Sequence, residues 1–441
     1  MTDRDRILRA AYFTLGCKLN FSETSEIGKM LAERNILRAS GMEQPDICVV
    51  NTCSVTEMAD KKGRQLIRSL NRRWPQAAIV VTGCYAQLKS EEVASLPGVA
   101  LVVGNGNKME LPALLDKWLE SRSASVEVGD AMAAYPFQGA CERGDRTRWW
   151  LKVQDGCDYF CTYCTIPYAR GRSRSGNIDQ LVAQARQVAA LGGKEIVLTG
   201  VNVGCFGKDT GESFFELLKR LDGVDGIERY RISSIEPNLI TEEIIDWVAE
   251  ESRSFMPHFH IPLQSGSDKV LRLMNRRYDT ALFASRLEYI KKRIPDAFIG
   301  VDVIAGARGE TEDEWRNSVK FIESVPFTRL HIFPYSERPG TKALLLGGEV
   351  DKHIRHMRVD ELQKISDRRL SEFMASYSGK VRDVLWEHPS DDNPGIMHGH
   401  TDNYIRVTAP ASEAMFNKVT AARLLDRDIS QAETLRAEPI S

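Results

Sequence analysis

The sequence predicts an α/β protein in three parts. A Rossmann-like parallel-sheet domain covers residues 1–120, a (β/α)6 partial barrel covers 141–372, and a small all-β barrel covers 373–441, with 121–140 as a linker. Two alternations and one change of character predict this. Short apolar runs alternate with helix-period segments over the first 120 or so residues, and again from about 141 to 372. Beyond 372 only short strand-like runs remain. Strand–helix alternation calls for parallel sheets covered by helices, because parallel neighbours need a crossover between them.

The first alternation carries the runs "AAYFTLG" (10–16), "DICVVNT" (46–52), "AIVVTG" (78–83) and "ALVVGN" (100–105). Between the first two, "SEIGKMLAER" places Ile27, Met30 and Leu31 at helical spacing. The periodicity fades from Ser121 to Ala140, hence the linker. The second alternation carries "WLKVQ" (150–154), "EIVLTG" (195–200), "RYRISS" (229–234), "FHIPL" (259–263), "FIGVDVIAG" (298–306) and "RLHIFPY" (329–335). Six such units fit a (β/α) barrel, open or closed. Thr311 is the expected N-cap of "EDEWRNSVKFIESV", ahead of acidic first-turn residues. "GKVRDVLWEH", "GIMHGHTDNYIRVTA" and "NKVTAARLLDRDIS" are short strands split by Gly, Pro and Asp turns, as in a small barrel.

A chain of 441 residues holds two to four domains, and 42% hydrophobic with 27% charged residues is ordinary globular composition. The net charge of −2 excludes a global attraction to nucleic acid, so RNA contact must come from local basic patches. The charged N-terminus has no cleavable apolar core, and no run is long enough to cross a bilayer. Nine cysteines without an export signal predict a cytoplasmic protein whose clustered thiols serve metal or redox chemistry.

Three of those cysteines crowd "GCDYFCTYC": Cys157, Cys161 and Cys164. Random placement gives this spacing about 0.004 times in such a chain. Three thiolates on one loop fit three corners of a 4Fe-4S cubane, with the fourth iron open to a small molecule. A structural zinc site borrowing a distant fourth ligand is the alternative. A second set sits in "TLGCKLN", "NTCSVT" and "TGCYAQ": Cys17, Cys53 and Cys84 each directly follow an apolar run. Strand ends of a parallel sheet share one edge, so these thiols can converge although one βαβ unit separates each from the next. Cys48, inside a strand, Cys141 and Cys205 lack this logic and are not assigned as ligands.

C-x3-C-x2-C after the first strand of a (β/α) barrel resembles the radical S-adenosylmethionine (SAM) superfamily. The resemblance implies that the open iron holds the amino and carboxylate groups of SAM, and that Tyr163 lies by the SAM adenine. It implies further contacts from Ile304, in the segment before Gly306, from Asn202 in "LTGVNVG" and from Glu236 in "SSIEP". Ordinary strand-end packing is the alternative for Asn202 and Glu236. Two three-cysteine sites, with "NTCSVTEMADKK", "LKVQDGCDYFCTYCTIPYARGRSRS", "HIPLQSGSDKVLRLMNRRY", "RGETEDEW" and "HIFPYSERPGTKA", resemble the methylthiotransferase family. The last barrel, with "GHTDNYIRV", resembles the TRAM domain, an RNA-binding module. "GARGET" departs from the Phe-Pro many members carry there, and "AMFNK" lacks a common glycine turn. "GCKLN" and the cysteine-loop segment resemble the branch that modifies N6-threonylcarbamoyladenosine at position 37 of tRNA.

This resemblance implies two 4Fe-4S clusters and two SAM per turnover: one methylates a sulfur on the auxiliary cluster, the other supplies the radical that activates adenine C2. It implies tRNA, an electron donor such as flavodoxin or ferredoxin, and a sulfur donor as partners, with no DNA and no membrane. Methylthiolation of isopentenyladenosine or of a ribosomal-protein aspartate is the alternative activity; a cluster-bearing RNA-binding or iron-sensing protein is the non-enzyme alternative. For the substrate arm the sequence offers Arg170, Arg172 and Arg174 just past the cysteine loop, then Arg276 and Arg277. "RSLNRRW" (68–74) and "RTRWW" (146–150) mix Arg with Trp, as RNA-binding faces do, although a solvated helix face explains the first equally well.

Overall fold

The structure is a computed structural model that describes every residue except 1–6, 42, 134, 144–146, 390–392, 429, 430, 432 and 441. In the N-terminal domain the strands are β1 (Leu8–Thr14), β2 (Ile36–Arg38), β3 (Ile47–Thr52), β4 (Ala78–Gly83), β5 (Val99–Val103) and β6 (Ser125–Glu127). The crossovers hold α1 (Lys18–Ala32), α2 (Glu57–Arg73), α3 (Cys84–Leu88), α4 (Ser90–Ala94) and α5 (Leu111–Ser121). All six strands pair in parallel, in the order β2-β1-β3-β4-β5-β6. Every residue of β3 and β4 is buried, which is why they read as unbroken apolar runs. The connection direction reverses between β1 and β3. Open α/β sheets bind ligands at the carboxyl ends of strands at such a switch point. Cys17 and Cys53 stand there, and Cys84 follows the next strand along, β4.

The linker expectation is corrected in part. Residues 125–127 form the sixth strand, an edge of three residues too short to show alternation.

In the core, β7 (Cys141–Arg143) lies antiparallel on β8 (Trp149–Lys152). A ribbon of β9 (Gln154–Asp155) and β10 (Arg174–Ser175) closes the base of the cysteine loop, which contains α6 (Ile166–Arg170). There follow α7 (Ile178–Ala190), β11 (Glu195–Thr199), α8 (Phe214–Asp222), β12 (Arg229–Ile232), α9 (Glu242–Glu250), β13 (His258–His260), α10 (Asp268–Leu273), α11 (Thr280–Arg293), β14 (Phe298–Ala305), α12 (Glu312–Ser324) and β15 (Arg329–Pro334). β8, β11 and β12 are parallel neighbours, as are β13, β14 and β15. A parallel bridge between Ser234 and His260 joins the two halves into a six-strand open barrel. Thr311 caps α12, its hydroxyl accepting from the Glu314 amide.

Helix α13 (Lys352–Ala375) packs on β15 and carries the chain across the expected boundary at 372. The closed barrel beyond it comprises β16 (Val381–Glu387), β17 (Ile396–Thr401), β18 (Arg406–Pro410), β19 (Val419–Arg427) and β20 (Leu435–Pro439). In "AMFNK", Asn417 adopts φ +56°, so asparagine supplies the left-handed turn that glycine would. This barrel covers the amino ends of the core strands. Arg229 donates to the carbonyls of His400 and Asp383, and Arg231 to those of Thr401 and Asp402. Tyr404 packs on His258 and Phe298. Among the described residues no helix is long and apolar enough to cross a membrane.

Candidate active site: two thiol sets and a buried charge network

Cys157, Cys161 and Cys164 sit on the loop that leaves the β9 end of the ribbon. The loop starts at Gly156, φ +69°, where a Cβ would lie 2.0 Å from the Arg172 carbonyl oxygen, so only glycine fits. The Cys164 amide donates to the Cys161 carbonyl, closing a tight turn between two thiols. The three pack with Tyr159, Cys205 and Leu239. Burial pushes the Cys157 thiol up to about 12 and raises Cys161 and Cys164 as well. Thiols so placed become thiolates only with a positive partner such as iron.

That partner's surroundings are prepared. Arg276 Nη1 donates to Cys161 Sγ at 3.0 Å and to the Tyr163 hydroxyl at 3.4 Å, while Nη2 pairs with Glu236. Burial raises the Glu236 carboxyl. Asn202 is 4% exposed, and neither its side-chain oxygen nor its nitrogen has a partner among the described residues. Ser233 Oγ likewise has no partner among them. Buried polar groups are normally satisfied, so these orphans past the ends of β11 and β12 fit a ligand with amino and carboxylate groups. Tyr163 and Ile304 pack into an apolar group with Met274, Ala307 and Tyr335, which suits the flat base of SAM.

Cys17 stands at the N-cap of α1, Cys53 just past β3, and Cys84 opens α3. Gly16, φ +111°, brings Cys17 onto Cys53: a Cβ there would lie 2.6 Å from Cys53 Cβ. The three thiols feel one another, since ionised Cys84 and Cys17 would each raise Cys53, and burial already pushes it up to about 12. Tetrahedral sulfurs about 2.3 Å from a zinc ion would lie about 3.8 Å apart. Among the described residues, only His260, Asp302 and His331 bring three such ligand atoms within 4.8 Å of one another. Both thiol sets are wider than a single-ion site, and a cubane suits them better.

Between the sets lies a buried charge network. Glu23 of α1 takes Lys108, Lys152 and Arg170; Asp155 takes Lys152, Arg170 and Arg174. Although burial opposes it, these cations hold Glu23 and Asp155 well below the usual carboxylate range. Four cations face two carboxylates. The excess positive charge reaches Cys84 from Arg170 and Lys108, and Cys53 from Arg170, as an anionic cluster requires.

Residues 151–322 match the model of the Radical SAM superfamily, and residues 9–104 match that of the Uncharacterized protein family UPF0004. A threonylcarbamoyladenosine tRNA methylthiotransferase MtaB of Bacillus subtilis (strain 168) is 39% identical over 94% of this chain and 93% of that protein. The protein of the same name from Aquifex aeolicus (strain VF5) is 37% identical, over 85% and 91%. A tRNA-2-methylthio-N(6)-dimethylallyladenosine synthase of Acetivibrio thermocellus is 32% identical, over 93% and 87%. The chain belongs to the radical SAM methylthiotransferase family. A solved radical SAM methyltransferase, TsrM from Kitasatospora setae, with cobalamin and a 4Fe-4S cluster bound, shares the fold: TM-score 0.57 at 13% identity, covering 77% of each chain.

In this methylthiotransferase the three arginines past the cysteine loop divide. Arg170 is 1% exposed and fully engaged by Glu23, Asp155 and Asn20, so the substrate expectation for it gives way to a role in the network. Arg174 is held by Asp155 and the Arg170 carbonyl, over the Tyr135 ring. Arg172 alone stays exposed, 4.8 Å above the Phe160 ring. Arg276, expected at the mouth, is at the thiols. "RTRWW" serves packing: Trp150 meets Phe21, and Arg148 pairs with Glu387 and Tyr404. Arg146 lies outside the described residues. Arg68, Arg72 and Arg73 are exposed toward the end of α2 farther from Cys53. Sequence reasoning missed Gln154, whose side chain ties the Gly156 carbonyl to the amides of Val201 and Asn202, and Glu23, the centre of the network.

Proposed function

We propose that this methylthiotransferase replaces the C2 hydrogen of N6-threonylcarbamoyladenosine, beside the tRNA anticodon at position 37, by a methylthio group. The observation that supports it is the contact between the two thiol-bearing loops, Thr165 to Ser54, in a chain with relatives 39% and 37% identical that are named for threonylcarbamoyladenosine in tRNA. Cys157, Cys161 and Cys164 hold the cluster that binds SAM, and Cys17, Cys53 and Cys84 hold the auxiliary one. When bound, these groups supply the radical and the sulfur, which no side chain can.

The chain's own residues bind and orient. Arg276, Glu236, Asn202 and Ser233 position the amino-acid end of SAM, with Tyr163 and Ile304 against its base. Arg170 and its partners balance the charge of the auxiliary site. Exposed Arg172 and Arg277 lie over the rings of Phe160 and Tyr159, 4.8 and 4.2 Å away. Tyr159 is buried beneath its arginine and Phe160 half-buried, so the guanidinium planes are the faces on which unstacked loop bases would settle. The enzyme works in the cytoplasm with an electron donor such as flavodoxin or ferredoxin and a sulfur donor. The test is a side-by-side assay of reconstituted enzyme on tRNA carrying threonylcarbamoyladenosine, isopentenyladenosine or unmodified adenosine, read by nucleoside mass analysis. Only the first should be methylthiolated; equal product from the second overturns the reading.

A further inference from the structure

Between the amino ends of β13–β15 and the docked C-terminal barrel is a chamber of about 220 Å³, lined among others by Lys18, His258, His260, Arg329, His331 and Tyr404. Lys18 is the residue after Cys17, at the start of α1. The anions of this region are taken: Asp302 is bonded to His260 at 2.7 Å, Glu433 accepts two bonds from Arg329, and Glu195 is held by Arg231. Lys18 makes no hydrogen bond or ion pair with any described residue. His258 Nδ1, buried on the same wall, also lacks a partner among the described residues.

The walls register positive surroundings. Burial, then Arg231 and Lys18, push His258 well down; burial, His260, Arg329 and Lys18 take His331 to about 4. Tyr404 is lowered by Arg148, Lys18 and Arg231 despite its burial. A chamber with an unpaired lysine, the neutral imidazoles of His258 and His331 and, among the described residues, no unpaired carboxylate suits an anion. A divalent metal at the His260–Asp302–His331 trio would have to enter against that charge.

We infer that Lys18 is a specificity residue whose ammonium binds the carboxylate of the threonylcarbamoyl arm in this chamber. This rests on the substrate reading above. The arm leaves N6, on the same six-membered ring as C2. Anchoring it beside Cys17 therefore fixes C2 relative to the auxiliary thiols.

The test uses the full-length, reconstituted enzyme and anticodon stem-loops in which the arm carries either a free carboxylate or its methyl ester. Wild type should bind the ester about 10- to 100-fold more weakly than the acid, the ratio expected for losing one charge-assisted bond. Lys18→Met, with full iron content, should lose the same factor on the acid and be indifferent to the ester; Lys18→Arg should restore the preference. If wild type binds acid and ester within twofold, the inference is overturned even should Lys18→Met fail to fold. Equal discrimination by Lys18→Met and wild type also overturns it. Failure of wild type to favour the threonylcarbamoylated over the unmodified stem-loop would instead sink the substrate reading itself.

Discussion

Thr165 donates its hydroxyl hydrogen to the Ser54 carbonyl at 3.5 Å, and each of these residues is the immediate successor of a thiol, Cys164 and Cys53. One contact between domains thus joins the two sets. Asn105 repeats the link, donating to the Ala169 carbonyl at 2.8 Å and reaching Cys84 Sγ at 3.8 Å. Arg338 adds a third, from the core to Ser54 and Asp60. Rigid docking of the two sheets is what places two separately held sites around one reacting atom.

Removing single thiols should separate the sites. Cys161→Ala should lose about half the iron and all 5′-deoxyadenosine formation under reductant, because a corner of the SAM cluster has no ligand. Cys53→Ala should also lose about half the iron, yet still cleave SAM while making no methylthio product. Normal 5′-deoxyadenosine formation by Cys161→Ala would refute the first assignment; methylthiolated tRNA from Cys53→Ala would refute the second.

Asn202 offers a cleaner probe of the SAM pocket. Its side chain makes no hydrogen bond to any described residue, so Asn202→Ala removes no polar contact seen in the folded chain. The melting temperature of the SAM-free protein should stay within about a degree, while the Kd for SAM rises roughly 10-fold, the worth of a hydrogen bond of about 1.5 kcal/mol to a charged group. A large drop in melting temperature with unchanged SAM affinity would make Asn202 a structural residue.

Glu23→Gln tests the buried network. It leaves Lys108, Lys152 and Arg170 short of a counter-charge and should cost about 3–5 kcal/mol. The carboxyls of Glu23 and Asp155 are depressed in the folded chain, so their contribution is complete above the ordinary values of 4.5 and 3.8 and is lost as pH falls below them. Wild type should therefore lose melting temperature between about pH 5 and pH 3, and Glu23→Gln should start lower and fall less steeply. Parallel curves for the two proteins would show that the network carries no such coupling.

Much of this was legible before the structure. Gly16–Cys17 and Gly83–Cys84 follow apolar strands, and a parallel sheet must bring its strand ends to one edge. The Thr311 cap is a local hydrogen bond to a residue three positions on, so local sequence states it. Arg170 was misleading because its main partner, Glu23, lies 147 residues away. A charge beside a cluster loop is a substrate contact or a buried counter-ion according to docking alone. Arg276 is the same case, 115 residues from the thiol it touches. Strand β6 escaped because three residues on a sheet edge carry no period.

The TRAM barrel yields the last prediction. An RNA-gripping module would be expected to come off without harming the rest of the chain. Here it supplies the carbonyls that satisfy Arg229 and Arg231, which are 2% and 1% exposed, and Tyr404 closes the chamber beneath Lys18. A chain ending at Ala375 would leave Arg229 with no acceptor among the described residues nearer than Glu195 at 3.9 Å and would remove one wall of the chamber. Loss of these charge-assisted bonds and of the apolar seam at Phe298 and Met374 should cost the core roughly 3–5 kcal/mol. That is a melting temperature lower by about 10 °C. Weak tRNA binding by the truncated protein is then no measure of RNA contact. The intact chain bearing Lys418→Glu and Arg436→Glu, both exposed on this barrel, is the proper comparison. It should melt like wild type, bind tRNA several-fold more weakly, and show a shallower dependence of affinity on salt, because each lost phosphate contact releases fewer counterions. An unchanged melting temperature after truncation would mean that the docked face contributes nothing to the core, and an unchanged salt slope in the double variant would place the RNA on another face of the barrel.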